Sequence, residues 1–255
     1  MLIYGINPVL EALRAGRVEQ LRVSERATGR VAELAQAAER DGVAVRRVSV
    51  VDLDRAVGGG ARHRHQGVVA ELQKSDAVDV RDLIAGVKSA PLIVVLDGIE
   101  DPHNVGAILR TVDAAGADGL VRQSRHAAPL GGAAAKASAG AVSHVKVAEV
   151  VNVARALEEL KEAGVWTVGL AGDAAKHYDE IDLTLPTALV LGAEGTGLRR
   201  LVRERCDWLV SIPMLGHVQS VNVSVAAGIA LFEAVRQRRR SAIACSPAAL
   251  RREGP

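Results

Sequence analysis

From Pro91 onward the chain alternates short apolar strands with helical stretches, and this alternation leaves few folds open to it. Strands are predicted at Leu92–Leu96, Gly119–Arg122, Val145–Val147, Val165–Leu170, Ala188–Leu191 and Trp208–Ile212. Helices are predicted at Val105–Ala115, Ala133–Ser138, Val153–Ala163 and Leu198–Glu204, with a long last helix after Asn222. Such a succession indicates an α/β fold, a parallel sheet covered on both faces. Three of the strands run into polar, Gly-bearing turns: Pro91–Asp97 into GIEDPHNVG, Ala188–Leu191 into GAEGTGL, and Trp208–Ile212 into PMLGHVQSVN. Ligands of open parallel sheets sit beyond the strand C-termini, so the three junctions are candidates to converge on one site.

Each junction carries residues open to two readings. In the third, Gln219, Ser220 and Asn222 precede a helix that is apolar nearly all round from Val223 to Phe232. That helix is predicted to be buried in a core or at a subunit contact. Its polar start supplies either a cap or a functional group, since Ser and Asn oxygens accept from free N–H groups at helix starts. In the first junction, Asn104 is either a cap or a site residue. Arg110, set among Ile108, Leu109 and Val112, either pairs with a carboxylate or awaits an anion. The second junction lacks the Lys-Ser/Thr of a phosphate loop, and the chain has no G-x-G-x-x-G. Its glycines let the backbone approach a ligand closely, with Glu194 as the one carboxylate between them.

Ahead of Pro91 the pattern is different. Helices Asn7–Ala15, Thr28–Asp41 and Val51–Val57 and strands Gln20–Ser24, Val43–Val48 and Gln66–Leu72 make a βα unit small enough to stand as its own domain. The predicted division is a domain over 1–73, a linker over 74–90, a larger domain over 91–240 and a basic tail over 241–255. Positions 1–75 hold twelve Arg or Lys against nine Asp or Glu, including Arg62 and Arg64 beside His65. From Arg236 to the end there are six Arg and one Glu, on a chain whose net charge is only +2. Local basic patches on a near-neutral protein suit a phosphate-bearing partner, or are simply solvated.

Several function classes find no support. The five aromatic residues are too few for a base-stacking platform. The two cysteines and seven histidines show no metal-ligand spacing, so no metal is expected. Nothing suggests a nucleophile elbow for acyl transfer. No basic start with an apolar run and no stretch of about 18 apolar residues is present, so a cytoplasmic protein without a membrane span is expected.

Taken together, the three junctions resemble the signature motifs of the SpoU family of RNA 2′-O-methyltransferases. The first, N-x-G-x-x-x-R, is Asn104 through Gly106 to Arg110. The second, L-G-x-E-G-x-G, is Leu191-Gly192-Ala-Glu194-Gly195-Thr-Gly197. The third is Ile212-Pro213-Met214 followed by Ser220-Val-Asn222-Val-Ser224-Val-Ala226. The start Tyr4–Val9, the run His65-Gln66-Gly67 and the ending Leu231–Arg236 resemble the branch that modifies a guanosine of 23S ribosomal RNA. Val221 departs from the pattern, since that branch usually carries Leu between the motif Ser and Asn.

The resemblance implies a SPOUT-type sheet whose C-terminal segment forms a trefoil knot, although general rules of chain topology would exclude a knot. It also implies a homodimer contacting through the last helix, and a ribosomal-protein-like RNA-binding domain at the N-terminus, to which Arg62, Arg64 and His65 would contribute. S-adenosylmethionine would lie against Gly192, Ile212, Val221, Leu215 and Gly216, and Asn104, Arg110, Glu194, Ser220 and Asn222 would form the reaction site. In the family the motif-one Arg is taken as a base. A guanidinium with a pKa of about 12.5–13.8 is a poor base at neutral pH, which favours a clamp for phosphate and the developing oxyanion. A transfer-RNA or antibiotic-resistance methyltransferase of the same superfamily, or a non-catalytic ribosome-assembly factor, are the alternatives the motifs leave open.

Overall fold

A computed structural model describes residues 1–58, 65–73, 77–125 and 127–244. Its contacts gather into two compact units. The first comprises Met1–Asp76, Glu100–Asp113 and Ala128–Val145, and the second Ala77–Ile99, Ala114–Ala127 and Lys146–Pro255.

The first unit is built on β1 (Leu2–Tyr4), β2 (Val18–Ser24), β3 (Ala44–Val48) and β4 (Val68–Leu72), in the order β1-β4-β2-β3. β4 runs antiparallel to both neighbours, and β2 and β3 are parallel. Helices α1 (Ile6–Arg14), α2 (Arg30–Arg40) and α3 (Val50–Ala56) connect them. The spacing of Val31, Leu34, Ala35 and Ala38 places all four on the buried face of α2, as its helical period predicts. Ser49 starts α3 by accepting from the Asp52 N–H at 3.2 Å.

β4 begins two residues later than the apolar run suggests. Gln66 and Gly67 hold φ of 53° and 81°, left-handed values that no strand accommodates. His65, expected among the RNA-facing basic residues, is only 2% exposed. Its Nε2 lies 3.2 Å from the Asp54 carboxylate and its Nδ1 accepts from the Gly67 N–H, so the ring fixes the start of β4. Arg62 and Arg64 lie outside the described residues.

Most of α4 (Pro102–Ala115) also belongs to this unit, as do α5 (Gly132–Ala137) and a 3-10 turn at Ala141–Ser143. Pro102 opens α4 and the preceding Asp101 carboxylate accepts from the His103 N–H at 2.9 Å. Asp101 is therefore the cap, and Asn104 is a buried residue of the first helical turn.

The second unit holds a seven-stranded parallel sheet. Its strands are β5 (Leu92–Asp97), β6 (Gly119–Gln123), β7 (Val147–Val150), β8 (Trp166–Leu170), β9 (Lys176–His177), β10 (Thr187–Gly192) and β11 (Trp208–Ser211), in the order β7-β6-β5-β10-β8-β11-β9. All six residues of β5 are buried, as expected of a strand covered on both faces. Ile93, Val95, Val121, Ala148 and Val190 meet Val153, Leu157 and Leu160 of α6 (Val153–Glu162) and Val202 of α7 (Arg200–Arg205). Each fully buried Leu of this layer contributes about 1.5–3 kcal/mol. β7 starts at Val147, later than predicted, because the chain first turns through Ala141–Ser143.

The last helix, α8 (Val223–Ala244), buries Val223, Ala227, Ala230, Leu231 and Ala234. It is not covered all round in the single chain, since Val225 and Phe232 remain 49% and 50% exposed. Near its end Arg238 donates to four backbone carbonyls, those of Ala90, Pro91, Leu183 and Leu185, which fastens the helix to the start of β5 and to the chain ahead of β10.

Candidate functional site

The C-terminal ends of β10, β8 and β11, three adjacent strands, open into a cavity of about 440 Å³. That volume lies within the roughly 300–1,000 Å³ of small-molecule sites. Its apolar wall comes from Leu170, Val210, Ile212 and Val221, and its polar rim from Glu194, Gln219, Ser220 and Asn222.

Local geometry explains why the GAEGTGL loop takes its shape. Ala193 and Gly197 exchange backbone hydrogen bonds of 3.1 and 2.9 Å, closing a tight turn with Glu194 near its tip. A Cβ at Gly192 would stand 2.2–2.4 Å from the backbone of Gly197 and Leu198, so no larger residue fits beneath the turn. The far end of the loop is fixed by Asp97, a fully buried carboxylate at the end of β5. Asp97 accepts from the Arg199 backbone N–H at 2.8 Å and from Arg199 Nε at 2.7 Å. Gly192 pairs in register with the same Asp97, so one residue anchors both ends of the loop. Asp97 is fully buried while Arg199 is half exposed, so the pair is partly screened by solvent and it is the two bonds from Arg199 that hold the loop's far end in place.

Asn222 joins the second and third junctions. Its Oδ1 accepts from the Ser224 N–H at 2.8 Å, capping α8, and its Nδ2 donates to Glu194 Oε1 at 2.7 Å. The cap reading of this residue is realised, and the amide nitrogen, which a cap does not use, binds a carboxylate.

Of the residues singled out in the sequence, Gly192, Glu194, Ile212, Ser220, Val221 and Asn222 border the cavity. Leu215 and Gly216 are not among its lining residues, and Leu215 is 99% exposed. Asn104 and Arg110 belong to the first unit, where Arg110 lies on the exposed side of α4 and makes no ion pair among the described residues. The first junction meets the second through Gly98, whose Cβ position lies 3.7 Å from the Ala193 Cβ. Leu170, the last residue of β8, and Ala171 and Gly172 after it form a side of the cavity that sequence reasoning missed. An apolar strand ending in Ala-Gly was the available signal. Among the described residues no cluster of three or more His, Cys, Asp or Glu could hold a metal ion, and no helix is long and apolar enough to cross a membrane.

The family model described as SpoU rRNA Methylase family matches residues 91–232, which include every strand end around the cavity. The chain belongs to the SpoU rRNA methylase family. A second model, described as RNA 2′-O ribose methyltransferase substrate binding, matches residues 2–78. Among curated relatives, the 23S rRNA (guanosine-2′-O-)-methyltransferase RlmB of Ralstonia nicotianae is 44% identical over 241 residues, spanning 93% of this chain and 96% of that protein. Among solved structures, the SpoU methyltransferase AviRb of Streptomyces viridochromogenes in complex with AdoMet superposes with a TM-score of 0.78 at 29% identity, covering 94% of this chain and 91% of that one. An AdoMet-bound rRNA methyltransferase of Sinorhizobium meliloti gives a TM-score of 0.77 at 28% identity, covering 92% and 86%.

Proposed function

We propose that this chain transfers a methyl group from S-adenosylmethionine to the ribose 2′-hydroxyl of a guanosine in 23S ribosomal RNA. The observation that carries the reading is the cavity formed by the second and third motifs at the ends of β8, β10 and β11. The residues suit this cofactor. Leu170, Val210, Ile212 and Val221 offer an apolar slot for a purine ring, and the Leu191–Gly192–Ala193 stretch along the same cavity brings backbone polar groups to its edge. S-adenosylmethionine supplies an electrophilic methyl group on a sulfonium.

The protein residues then have separable tasks. Asn222 holds Glu194 at the rim of the pocket. Arg110, exposed and permanently charged, clamps substrate phosphate and stabilises the ribose oxyanion as it develops. Asn104 in the first turn of the same helix and Ser220 at the pocket rim complete the assigned reaction site. Exposed Arg46 and Arg47 on the edge strand β3 supply backbone-phosphate contacts on the N-terminal sheet, the kind that position RNA without reading its sequence. The trefoil knot belongs to the same reading, as does a homodimer that covers Val225 and Phe232 of α8.

Incubation with labelled S-adenosylmethionine and 23S RNA, followed by mapping of 2′-O-methyl positions, tests the proposal. One methylated guanosine is expected. No incorporation, together with no cofactor binding by calorimetry, would refute it. Sedimentation as a monomer at micromolar concentration would remove the dimer.

A further inference from the structure

The N-terminal sheet and helix α4 are joined through α5 and the turn that follows it. Position 106 of α4 touches α5 so closely that a Cβ there would lie 2.5 Å from both the Ala134 carbonyl oxygen and the Ala137 Cβ. α5 in turn abuts β1, for a Cβ at Gly131 would lie 2.6 Å from the Leu2 carbonyl oxygen. The following turn is tied to α1 and its end. Arg17 Nη1 donates to the Val142 and Ser143 carbonyls at 3.4 and 3.3 Å, and His144 Nε2 lies 3.2 Å from Glu11 Oε2. Arg14 holds the other Glu11 oxygen at 2.8 Å. These links bridge 125 to 133 residues of sequence.

Resting on the methyltransferase reading above, we propose that the segment Ala128–Val145 locks the N-terminal sheet and the helix bearing Asn104 and Arg110 into one substrate-presenting body. RNA phosphates held by the N-terminal sheet are then carried in fixed register with Arg110, instead of being tethered through the chain after β4. The physical ground is the type of contact. Backbone meeting backbone at missing Cβ positions has no soft side chain to absorb sliding, so the joint holds one arrangement. Gly131, Arg17 and Glu11 are positioning residues on this account. None of them touches a reacting atom.

The proposal distinguishes capture of RNA from its placement. In Glu11→Ala/Arg17→Ala, which removes only partly exposed links, affinity for S-adenosylmethionine and for 23S RNA fragments should stay within about twofold of wild type. Turnover should fall about tenfold or more, since small misplacements of a positioned group cost up to about a hundredfold. Gly131→Ala, whose new Cβ must displace the Leu2 backbone, should behave the same way. Hydrogen exchange supplies a readout independent of activity. In both variants amides of α4 and of residues 131–145 should lose protection, while those of α6 and β10 keep theirs. Wild-type turnover with unchanged exchange would overturn the proposal. So would a loss confined to RNA affinity with turnover at saturating RNA intact. A wild-type protein without methyltransferase activity would refute the reading of the site instead, and the exchange pattern would still decide whether the joint exists.

Discussion

Replacing Asn222 by Asp separates the two tasks of one side chain. The carboxylate keeps an acceptor for the Ser224 N–H, and Asp caps a helix about as well as Asn. It loses the donor that holds Glu194 at 2.7 Å and sets a second negative charge in its place. Both side chains are exposed, so the lost bond is worth about 0.5–1 kcal/mol after solvent screening. The repulsion adds about 1 kcal/mol at water-like dielectric. In the free protein Glu194 can swing into solvent and relieve most of this. With cofactor bound it has to return to the rim, so the repulsion of about 1 kcal/mol falls on binding, a weakening of roughly fivefold, while the lost bond is missing in both states and cancels. Asn222→Ala has the opposite profile. It loses the cap, about 1 kcal/mol, which lowers the melting temperature of a chain this size by about 2–4 °C. It sets no charge against Glu194. Thermal melting and calorimetric titration with S-adenosylmethionine should therefore rank the variants in opposite orders, and 0.5 M salt should restore part of the Asp variant's affinity. If Asn222→Asp melts as low as Asn222→Ala, the cap argument fails. If it binds cofactor like wild type, the Glu194–Asn222 pair has no part in the pocket.

Gly192→Ala should weaken cofactor binding at least about tenfold, because its Cβ would overlap the Gly197 backbone at 2.2–2.4 Å; unchanged calorimetric affinity would show that the turn shifts freely. Arg110→Lys keeps the charge but loses the planar fork, so turnover should fall about tenfold or more while cofactor affinity stays near wild type; wild-type-like methylation rates would refute the clamp. Burial pushes the Cys206 thiol up to about 12, so in a Cys245→Ser background it should resist iodoacetamide at pH 8 until the protein unfolds. Because the folded protein retains that proton longer than the unfolded chain, this thiol also makes stability fall as pH rises above its ordinary value of 9.0; rapid native-state labelling would contradict both statements.

The strands and helices around the cavity were legible because their signals are local. β5 and β10 are short apolar runs, and α6 carries its buried residues at Val153, Ala156, Leu157 and Leu160 after the cap Asn152. The motif residues of the second and third junctions were legible because they are polar where a core strand would not be. What the sequence hid depends on partners distant along the chain. β9 is two residues long and exists only by pairing with β11. His65 looks like one more member of a basic run until Asp54 closes over it. Asn104 was legible as polar, but not as buried, because Asp101 had already taken the capping position. The side of the cavity at the end of β8 carries no reactive atom to mark it. That α4 is joined to the N-terminal sheet through α5 follows from the close approaches at Gly106 and Gly131, a matter of space that no single-residue pattern displays.

The strand order has a consequence during synthesis. β5 lies beside β10 in the finished sheet, yet about 90 residues separate the end of one from the start of the other. At roughly 5–20 residues per second, the Leu92–Asp97 edge waits about 5–18 s for its neighbour to leave the ribosome. All that time an apolar strand shows an unpaired edge, the feature most prone to join a neighbouring nascent chain. Arg238 lengthens the delay, for the carbonyls of Ala90 and Pro91 have no donor from it until the last helix has emerged. Translation speed between residues 97 and 238, and the holdase chaperones present, should therefore govern how much soluble protein a cell recovers.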